Sequence, residues 1–369
     1  MIPIKIQNNT NKNQLVNRSA LAILLAIFVG YAEINSAYAF SYSCDETTED
    51  CVINYNKNKK KTNSNSVRKI NIVRVVAPGR KNHSMQSILN KTRNMIGFYD
   101  TVSRGQFSLK VNNWKTKEVD AKSCQSVKNK ARHGEGGPFL TVYSLPKGLC
   151  NFSNYTHSAI FLNDNSAQSF AHETGHGIGF GHSSLKNKGK GASEYGDVSS
   201  IMGRGPALNY AIPQLHWVGW TKKNEIVKLN GKFNIGEEIE VSLRPLDRNV
   251  ASDDNTPLAY VYELPSGKRL FISIPRSASS NLNDVKGGEI FVHRANKCVN
   301  CSGISMGTMT MARIKPNSTK THNVLGLSIR LSSTEGDHII QKGKKRFKYR
   351  KVTLLIGFDT ESDMMLDNE

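Results

Sequence analysis

The residues best placed to do chemistry lie at 172–182, where the chain reads HETGHGIGFGH and fits H-E-x-x-H-x-x-G-x-x-H. His172 and His176 are four residues apart, so on a helix they project from one face and can reach a single ion. Gly179 can end that helix because glycine adopts positive φ, and the chain can then return His182 to the same ion. Three neutral imidazoles with a fourth position left to water predict a catalytic Zn²⁺ site, since a structural site would use a fourth protein ligand.

Glu173 lies beside this histidine pair. A carboxylate in that position can act as a proton acceptor. The alternative is a set of unrelated histidines at a glycine-rich helix end. Against that alternative, the far face of the same helix is suited to packing on a core and carries Ala167, Phe170, Ala171, Thr174 and Ile178.

The elements that must position these residues begin near Val67. The patterns predict a strand at Ile70–Val76, a helix capped by Ser84 that runs past Tyr99 and stops near Gly105, and strands at Phe107–Val111, Leu140–Leu145 and Ser158–Leu162. Asp164, Asn165 or Ser166 is predicted to cap the metal helix. Because the last strand runs directly into that helix, its edge is the predicted place for an extended peptide to add as a further strand.

A methionine turn follows the histidines. Residues 195–203 read YGDVSSIMG, and Met202 lies 20 residues after His182. The long histidine motif with this turn resembles the metzincin clan of zinc peptidases. More narrowly, TVYSLP at 141–146, the turn itself and the stretch Asn209–Trp220 resemble the gametolysin or autolysin family of secreted peptidases, over about residues 67–220.

The resemblance implies that His172, His176 and His182 bind zinc, that Glu173 is the general base, and that Met202 forms a tight turn beneath the metal. It also implies an α/β-type zincin catalytic domain at 67–220, with a mixed twisted sheet and an active-site helix. An ordinary core methionine is the alternative for Met202.

One family feature is missing. Some metzincins carry a tyrosine two residues after the methionine, where it can stabilise the oxyanion; this chain has Arg204 there, and the nearest tyrosine downstream is Tyr210. Either residue could donate to developing negative charge. A structural role or a solvent-facing position is the alternative for both.

Residues 221–369 predict a β-rich, sandwich-like C-terminal domain, which makes the whole chain α+β. Such a domain could bind glycan or a cell envelope, or it could brace the catalytic unit. The prediction depends on short alternating segments separated by turn residues, at Glu238–Leu243, Leu258–Leu264, Leu270–Ile274, Glu289–Val292, Val324–Leu331 and Val352–Phe358.

The N-terminus predicts export. Residues 1–39 combine a basic start, an apolar stretch and Ala37-Tyr38-Ala39 before Phe40, as a cleaved secretory signal does. An uncleaved anchor is the alternative, and no later segment is apolar for long enough to cross a bilayer. Residues 40–66 are polar and predict a flexible leader, with a short propeptide carrying an inhibitory thiolate as the alternative.

All six cysteines follow the predicted cleavage site. Nearest-neighbour pairing predicts disulfides 44–51, 124–150 and 298–301. The alternative for Cys298-Val-Asn-Cys301 is a redox or zinc CxxC motif.

The chain is strongly basic, with 50 Lys and Arg against 30 Asp and Glu. Such a surface favours anionic partners such as glycans or envelope polymers, but solvated faces and solubility are the preferred explanation of the charge. We expect no specific nucleic-acid binding, because the basic residues have no such motif spacing and form separate clusters at 57–61, 186–190 and 344–351.

The sequence therefore predicts a secreted zinc metalloendopeptidase that acts on extracellular or cell-wall protein. Two alternatives remain: a non-catalytic, zinc-containing adhesion protein on a peptidase fold, and a zinc amidase acting on cell-wall peptidoglycan.

Overall fold

A computed structural model describes residues 40–44, 51–55, 67–120, 122–132, 139–151, 153–156, 158–164, 166–187, 191–204, 209–230, 234, 236–247, 255–278, 286–295, 306–341 and 344–358. The predicted secretory signal and the Cys298–Cys301 pair lie outside these residues. The chain divides into two compact units, Met1–Lys60 and Lys61–Glu369. Each is considered by itself.

The described elements number 18 strands and four helices. In chain order they are β1 (Phe40–Cys44), β2 (Cys51–Tyr55), β3 (Val67–Val76), α1 (Met85–Val102), β4 (Ser108–Glu118), α2 (Cys124–Arg132), β5 (Leu140–Ser144), β6 (Asn154–Thr156), β7 (Ala159–Leu162), α3 (Ala167–Ile178), β8 (Phe180–Lys186), β9 (Ala192–Ser193), α4 (Ile212–Trp217), β10 (Ile226–Lys228), β11 (Glu238–Leu243), β12 (Ala259–Glu263), β13 (Arg269–Ser273), β14 (Ile290–Ala295), β15 (Met306–Ile314), β16 (His322–Val324), β17 (Leu327–Gln341) and β18 (Lys344–Phe358).

The first unit contains an antiparallel hairpin of β1 and β2. The sequence predicts a flexible polar leader here, and the hairpin departs from that expectation because both segments contain the aromatic or β-branched residues that favour strands. Cys44 lies directly opposite Cys51 at the end of the ladder. That register suits the predicted 44–51 disulfide, which stays a prediction.

The second unit begins with a five-stranded sheet in the order β4-β3-β5-β7-β6. Strands β4, β3, β5 and β7 pair in parallel, while β6 is antiparallel on the edge. The strands predicted near Ile70, Leu109, Leu140 and Ser158 are all present. The sequence does not predict β6, which has only three residues, or α2, whose buried residues are only Val127 and Ala131.

Helix α2 packs on this sheet through an apolar cluster, and the predicted disulfide Cys124–Cys150 ties the start of α2 to the loop after β5. This pairing is confirmed. The cluster joins the α2 residues Val127 and Ala131 to the strand residues Val73, Val75, Tyr143, Ala159 and Phe161.

The C-terminal part is rich in strands, as predicted, so the fold is α+β with mixed sheets and few helices. A four-stranded sheet, β11-β18-β17-β16, and a seven-stranded sheet, β10-β12-β13-β14-β15-β8-β9, share one buried apolar cluster. The second sheet contains a feature that the sequence does not predict. Strand β8 pairs in parallel with β15, so a strand that follows helix α3 closely belongs to the same sheet as the C-terminal strands.

The predicted division after residue 220 falls inside the compact unit Lys61–Glu369. Division into two domains therefore stays a prediction. Among the residues that the structure describes, no helix combines the length and the apolar character needed to cross a membrane.

Candidate metal centre

Helix α3 is fixed at its start by a local hydrogen-bond network. Of the three predicted capping residues, Ser166 is the N-cap, and its Oγ accepts a hydrogen bond from the Ser169 backbone N–H at 3.0 Å. Asp164 supports the cap by accepting from the Ser166 N–H at 3.0 Å and from Ser169 Oγ at 2.9 Å. These bonds satisfy donors that a helix start leaves free.

The end of α3 depends on Gly179. This residue has φ +106°, a left-handed conformation that other residues rarely adopt, and a Cβ atom there would lie 2.7 Å from the Trp217 ring. Glycine is therefore required both for the turn and for the close approach of α4. The chain passes directly from this turn into β8, which carries His182.

The structure brings the three predicted histidines together. One ring nitrogen from each of His172, His176 and His182 lies within 4.8 Å of the other two, and the Nε2 atoms of His176 and His182 are 3.1 Å apart. Each Nδ1 atom is engaged on the outer side. His172 Nδ1 is 2.8 Å from the Ile201 carbonyl, His176 Nδ1 is 2.8 Å from the Phe180 carbonyl, and His182 Nδ1 is 2.6 Å from Glu194 Oε1.

These contacts define the tautomers. Carbonyl and carboxylate oxygens accept hydrogen bonds, so each Nδ1 carries the proton and each Nε2 keeps a lone pair that faces the centre of the cluster. Burial lowers the pKa of His172 and lowers that of His176 to about 4, although a bond to a backbone carbonyl opposes the shift in each case. Three neutral nitrogen donors with outer acceptors form a donor set that fits Zn²⁺.

Glu173 lies next to the cluster and is only 7% exposed. Its carboxylate accepts a hydrogen bond from the backbone of Tyr155 in β6. Burial raises the pKa of Glu173 to about 7, against the effects of the Tyr155 bond and of the positive charge on Lys128, which both lower it. A carboxylate of this pKa can exchange protons near neutral pH.

Met202 is fully buried in the turn that follows β9. Its Sδ atom lies 2.6 Å from the point where a Cβ atom of Gly175 would be, so helix α3 approaches the methionine closely at that glycine. The Met202 carbonyl accepts a hydrogen bond from the Ser183 N–H in β8 at 2.9 Å. The turn therefore contacts both elements that carry the histidines.

Neither oxyanion candidate lies in the cleft beside the histidines. Tyr210 is fully buried beneath α3, where its hydroxyl contacts Tyr99 and donates to the Ala171 carbonyl at 2.9 Å. Burial raises the pKa of the Tyr210 phenol well above its ordinary value. Arg204 is exposed, and its backbone N–H donates to the Asp197 carbonyl within the turn.

The structure adds two residues that the sequence does not single out: Glu194, which immediately precedes the methionine turn, and Tyr195, the first residue of the turn. The Tyr195 ring is 4.0 Å from the His182 ring between centroids, remains 40% exposed, and has a left-handed φ of +60°. Backbone strain at a residue that is not glycine is often found at functional sites. In the sequence, only their position at the start of the methionine turn indicates that these two residues belong to the site.

A cleft of about 730 Å³ opens beside Glu173, His172 and Tyr195. Its other lining residues are all polar, namely Asn151, Ser153, Asn163, Asp164, Ser166, Gln168 and Ser169. The sequence predicts that an extended peptide adds to the edge of β7. In the structure β6 pairs with that edge, so β7 is an interior strand and β6 forms the edge of this sheet.

The model of the family described as gametolysin peptidase M11 matches residues 141–314, which include α3, the histidines, the methionine turn and strands β10 to β15. No curated protein matches the chain significantly. A solved structure titled "Structure of a chaperone-substrate complex" is 17% identical, with a TM-score of 0.28. The match covers 41% of this chain and 30% of that one, so this chain spans less than a third of that structure's length. The family match confirms the resemblance expected from the sequence: over residues 141–314 the chain is similar to gametolysin peptidases.

Proposed function

We propose that the protein is a zinc-dependent metalloendopeptidase of the metzincin type, which hydrolyses peptide bonds in extracellular or cell-wall proteins. The observation that carries this proposal is the convergence of three Nε2 atoms, each oriented by an outer acceptor, beside the buried carboxylate of Glu173. Secretion is supported by the Cys124–Cys150 disulfide, because such bonds persist mainly in oxidising compartments.

His172, His176 and His182 would hold the ion. Zn²⁺ bound there would act as a Lewis acid that activates water and polarises the scissile carbonyl. Glu173 then takes a proton from the attacking water and gives it to the leaving nitrogen. The burial of Glu173 suits both steps, because a pKa of about 7 makes the carboxyl an effective acceptor and an effective donor near neutral pH.

Substrate binding follows from strand β6 and the polar cleft. An edge strand offers backbone groups with which an extended peptide can pair, and β6 lies against the catalytic site because its Tyr155 backbone bonds Glu173. The Tyr195 ring lies beside His182, with ring centroids 4.0 Å apart, and lines the same cleft. The polar side chains that line the cleft can form hydrogen bonds with a bound peptide.

The proposal is tested by incubating the purified protein, beginning near Phe40, with a mixed peptide library, with and without a zinc chelator. The Glu173→Gln variant should keep zinc and lose activity by about 10²- to 10⁴-fold, as expected for loss of a general base. Glu118→Gln is the matched control, because Glu118 is an exposed carboxylate in β4, at the opposite edge of the same sheet. A zinc-loaded wild-type protein that cleaves nothing would instead indicate a non-catalytic binding protein.

A further inference from the structure

A buried polar cluster connects the C-terminal sheet to the methionine turn. His293, in β14, places its Nε2 atom 3.0 Å from Asp197 Oδ2 and 3.1 Å from Ser199 Oγ. The side chains of His293 and Asp197 are 1% and 0% exposed. His293 is far in sequence from the other two residues, so only the tertiary fold brings it to them.

The direction of these hydrogen bonds follows from the acceptors. Asp197 Oδ1 already accepts from the Ser199 N–H and from Ser199 Oγ, each at 2.7 Å. The remaining oxygen, Oδ2, accepts from His293, so His293 carries its proton on Nε2. A buried carboxylate is costly without such partners, and loss of one partner leaves it unsatisfied.

The backbone of Asp197 also joins the two ends of the methionine turn. Its carbonyl accepts from the Arg204 N–H at 3.0 Å, and a Cβ atom on Gly203 would lie 1.9 Å from that carbonyl oxygen. Between these two ends of the turn lies Ile201, whose carbonyl accepts the hydrogen bond from His172 Nδ1 at 2.8 Å. The position of that carbonyl determines how the His172 ring is oriented.

We propose that His293 is a positioning residue of the metal centre: it fixes Asp197, Asp197 fixes the turn, and the turn orients the ligand His172. This inference rests on the proposed function, since it takes His172 to be a zinc ligand. It assigns to the C-terminal β-rich part a role in metal binding. Residues that hydrogen-bond metal ligands from outside typically change metal affinity by about 10- to 100-fold when they are replaced.

Three variants test whether His293 positions a zinc ligand or only stabilises the fold. His293→Leu removes the donor, His293→Gln replaces it with an amide N–H of similar reach, and Thr310→Val is the matched control. Thr310 is fully buried directly opposite His293 in β15, and its hydroxyl has no hydrogen-bond partner among the described residues. The measurements are the Zn²⁺ dissociation constant from chelator competition and the visible absorption spectrum of the Co²⁺-substituted protein.

We expect His293→Leu to weaken zinc binding by up to about tenfold, the low end of the range for direct partners, because His293 acts through Asp197 and the turn. It should also change the Co²⁺ spectrum, which reports ligand geometry. His293→Gln should restore most of both properties, and Thr310→Val should leave them unchanged. Lower thermal stability of His293→Leu with wild-type zinc affinity and an unchanged spectrum would overturn the inference, because the cluster would then be structural only.

A double-mutant cycle keeps the inference testable if His293→Leu does not fold. Asp197→Asn and the smaller replacement His293→Ala, which also removes the donor, should have non-additive effects on zinc affinity, since both act through one chain of contacts. Additive effects would overturn the inference while zinc-dependent cleavage by the wild-type protein remained. Wild-type protein that binds no zinc would overturn the proposed function itself, and the inference with it.

Discussion

At the scale of single residues, the three histidines differ in how they are held. His172 and His176 are oriented by backbone carbonyls, whereas His182 depends on the side chain of Glu194. A substitution cannot delete a backbone carbonyl, so of the three outer acceptors only that of His182 can be removed directly by replacing one side chain. Glu194 is also 66% exposed, which reduces the strength of its charge in solvent.

We therefore predict that Glu194→Ala weakens zinc binding by about tenfold, at the low end of the range for outer partners of metal ligands. Glu194→Gln should have a smaller effect, because its amide oxygen still accepts from His182 Nδ1. Chelator competition measures both values, and Glu118→Gln again provides an exposed carboxylate away from the site. Equal affinity in the alanine variant and the wild type would show that His182 needs no outer partner.

At the scale of elements, the end of helix α3 determines whether His182 reaches the other histidines. Gly179 has φ +106° and lies against Trp217 in α4, so a side chain there meets both backbone strain and a steric clash. Gly219 provides a comparison, because it also has a positive φ, of +77°, and a Cβ atom added to it would have no neighbouring atom within 4 Å. A side chain at Gly219 would therefore cause backbone strain alone, whereas a side chain at Gly179 would cause strain and also push against helix α4.

We predict that Gly219→Ala lowers the free energy of unfolding by about 1–3 kcal/mol, the usual cost of a strained residue, and leaves zinc affinity unchanged. Gly179→Ala should cost more and should also weaken zinc binding, because relief of the Trp217 clash moves the start of β8. Denaturant unfolding and chelator competition on both variants test this. If Gly179→Ala keeps wild-type zinc affinity, the glycine is needed for folding but not for delivery of His182.

At the scale of the whole molecule, one sheet joins the metal centre to the C-terminal strands. Strand β8 carries His182 and pairs with β15, and Ser183 in β8 accepts a hydrogen bond from Thr308 in β15 at 2.9 Å. If the chain ended after Trp220, the main edge of β8 would lose its partner and expose unpaired backbone groups. The predicted domain boundary after residue 220 can therefore be tested with a fragment that ends there.

We predict that a fragment of residues 67–220 aggregates or binds less than one zinc ion per chain. A fragment of residues 67–358 should stay monomeric and bind one, since it retains every described strand of the second unit. Size-exclusion chromatography and zinc stoichiometry distinguish these results. A monomeric 67–220 fragment with wild-type zinc affinity would support two independent domains.

The sequence by itself determined what depends on near neighbours. Spacing of four residues places His172 and His176 on one helix face, and alternating residues predict β11 at its observed bounds, Glu238–Leu243. The capping residue is narrowed to residues 164–166, of which the structure selects Ser166. Each of these features is set within about a dozen residues, where helical or strand periodicity already says which side chains share a face.

The tertiary structure alone decided which distant segments meet. It places β6 on the edge of β7, pairs β8 with β15, buries Tyr210 beneath α3 and brings His293 to the methionine turn. Periodicity shows that a segment is buried on one face but carries no information about its partner. That choice depends on packing and pairing between segments that lie as many as 126 residues apart, as Phe180 and Met306 do, and local patterns do not encode it.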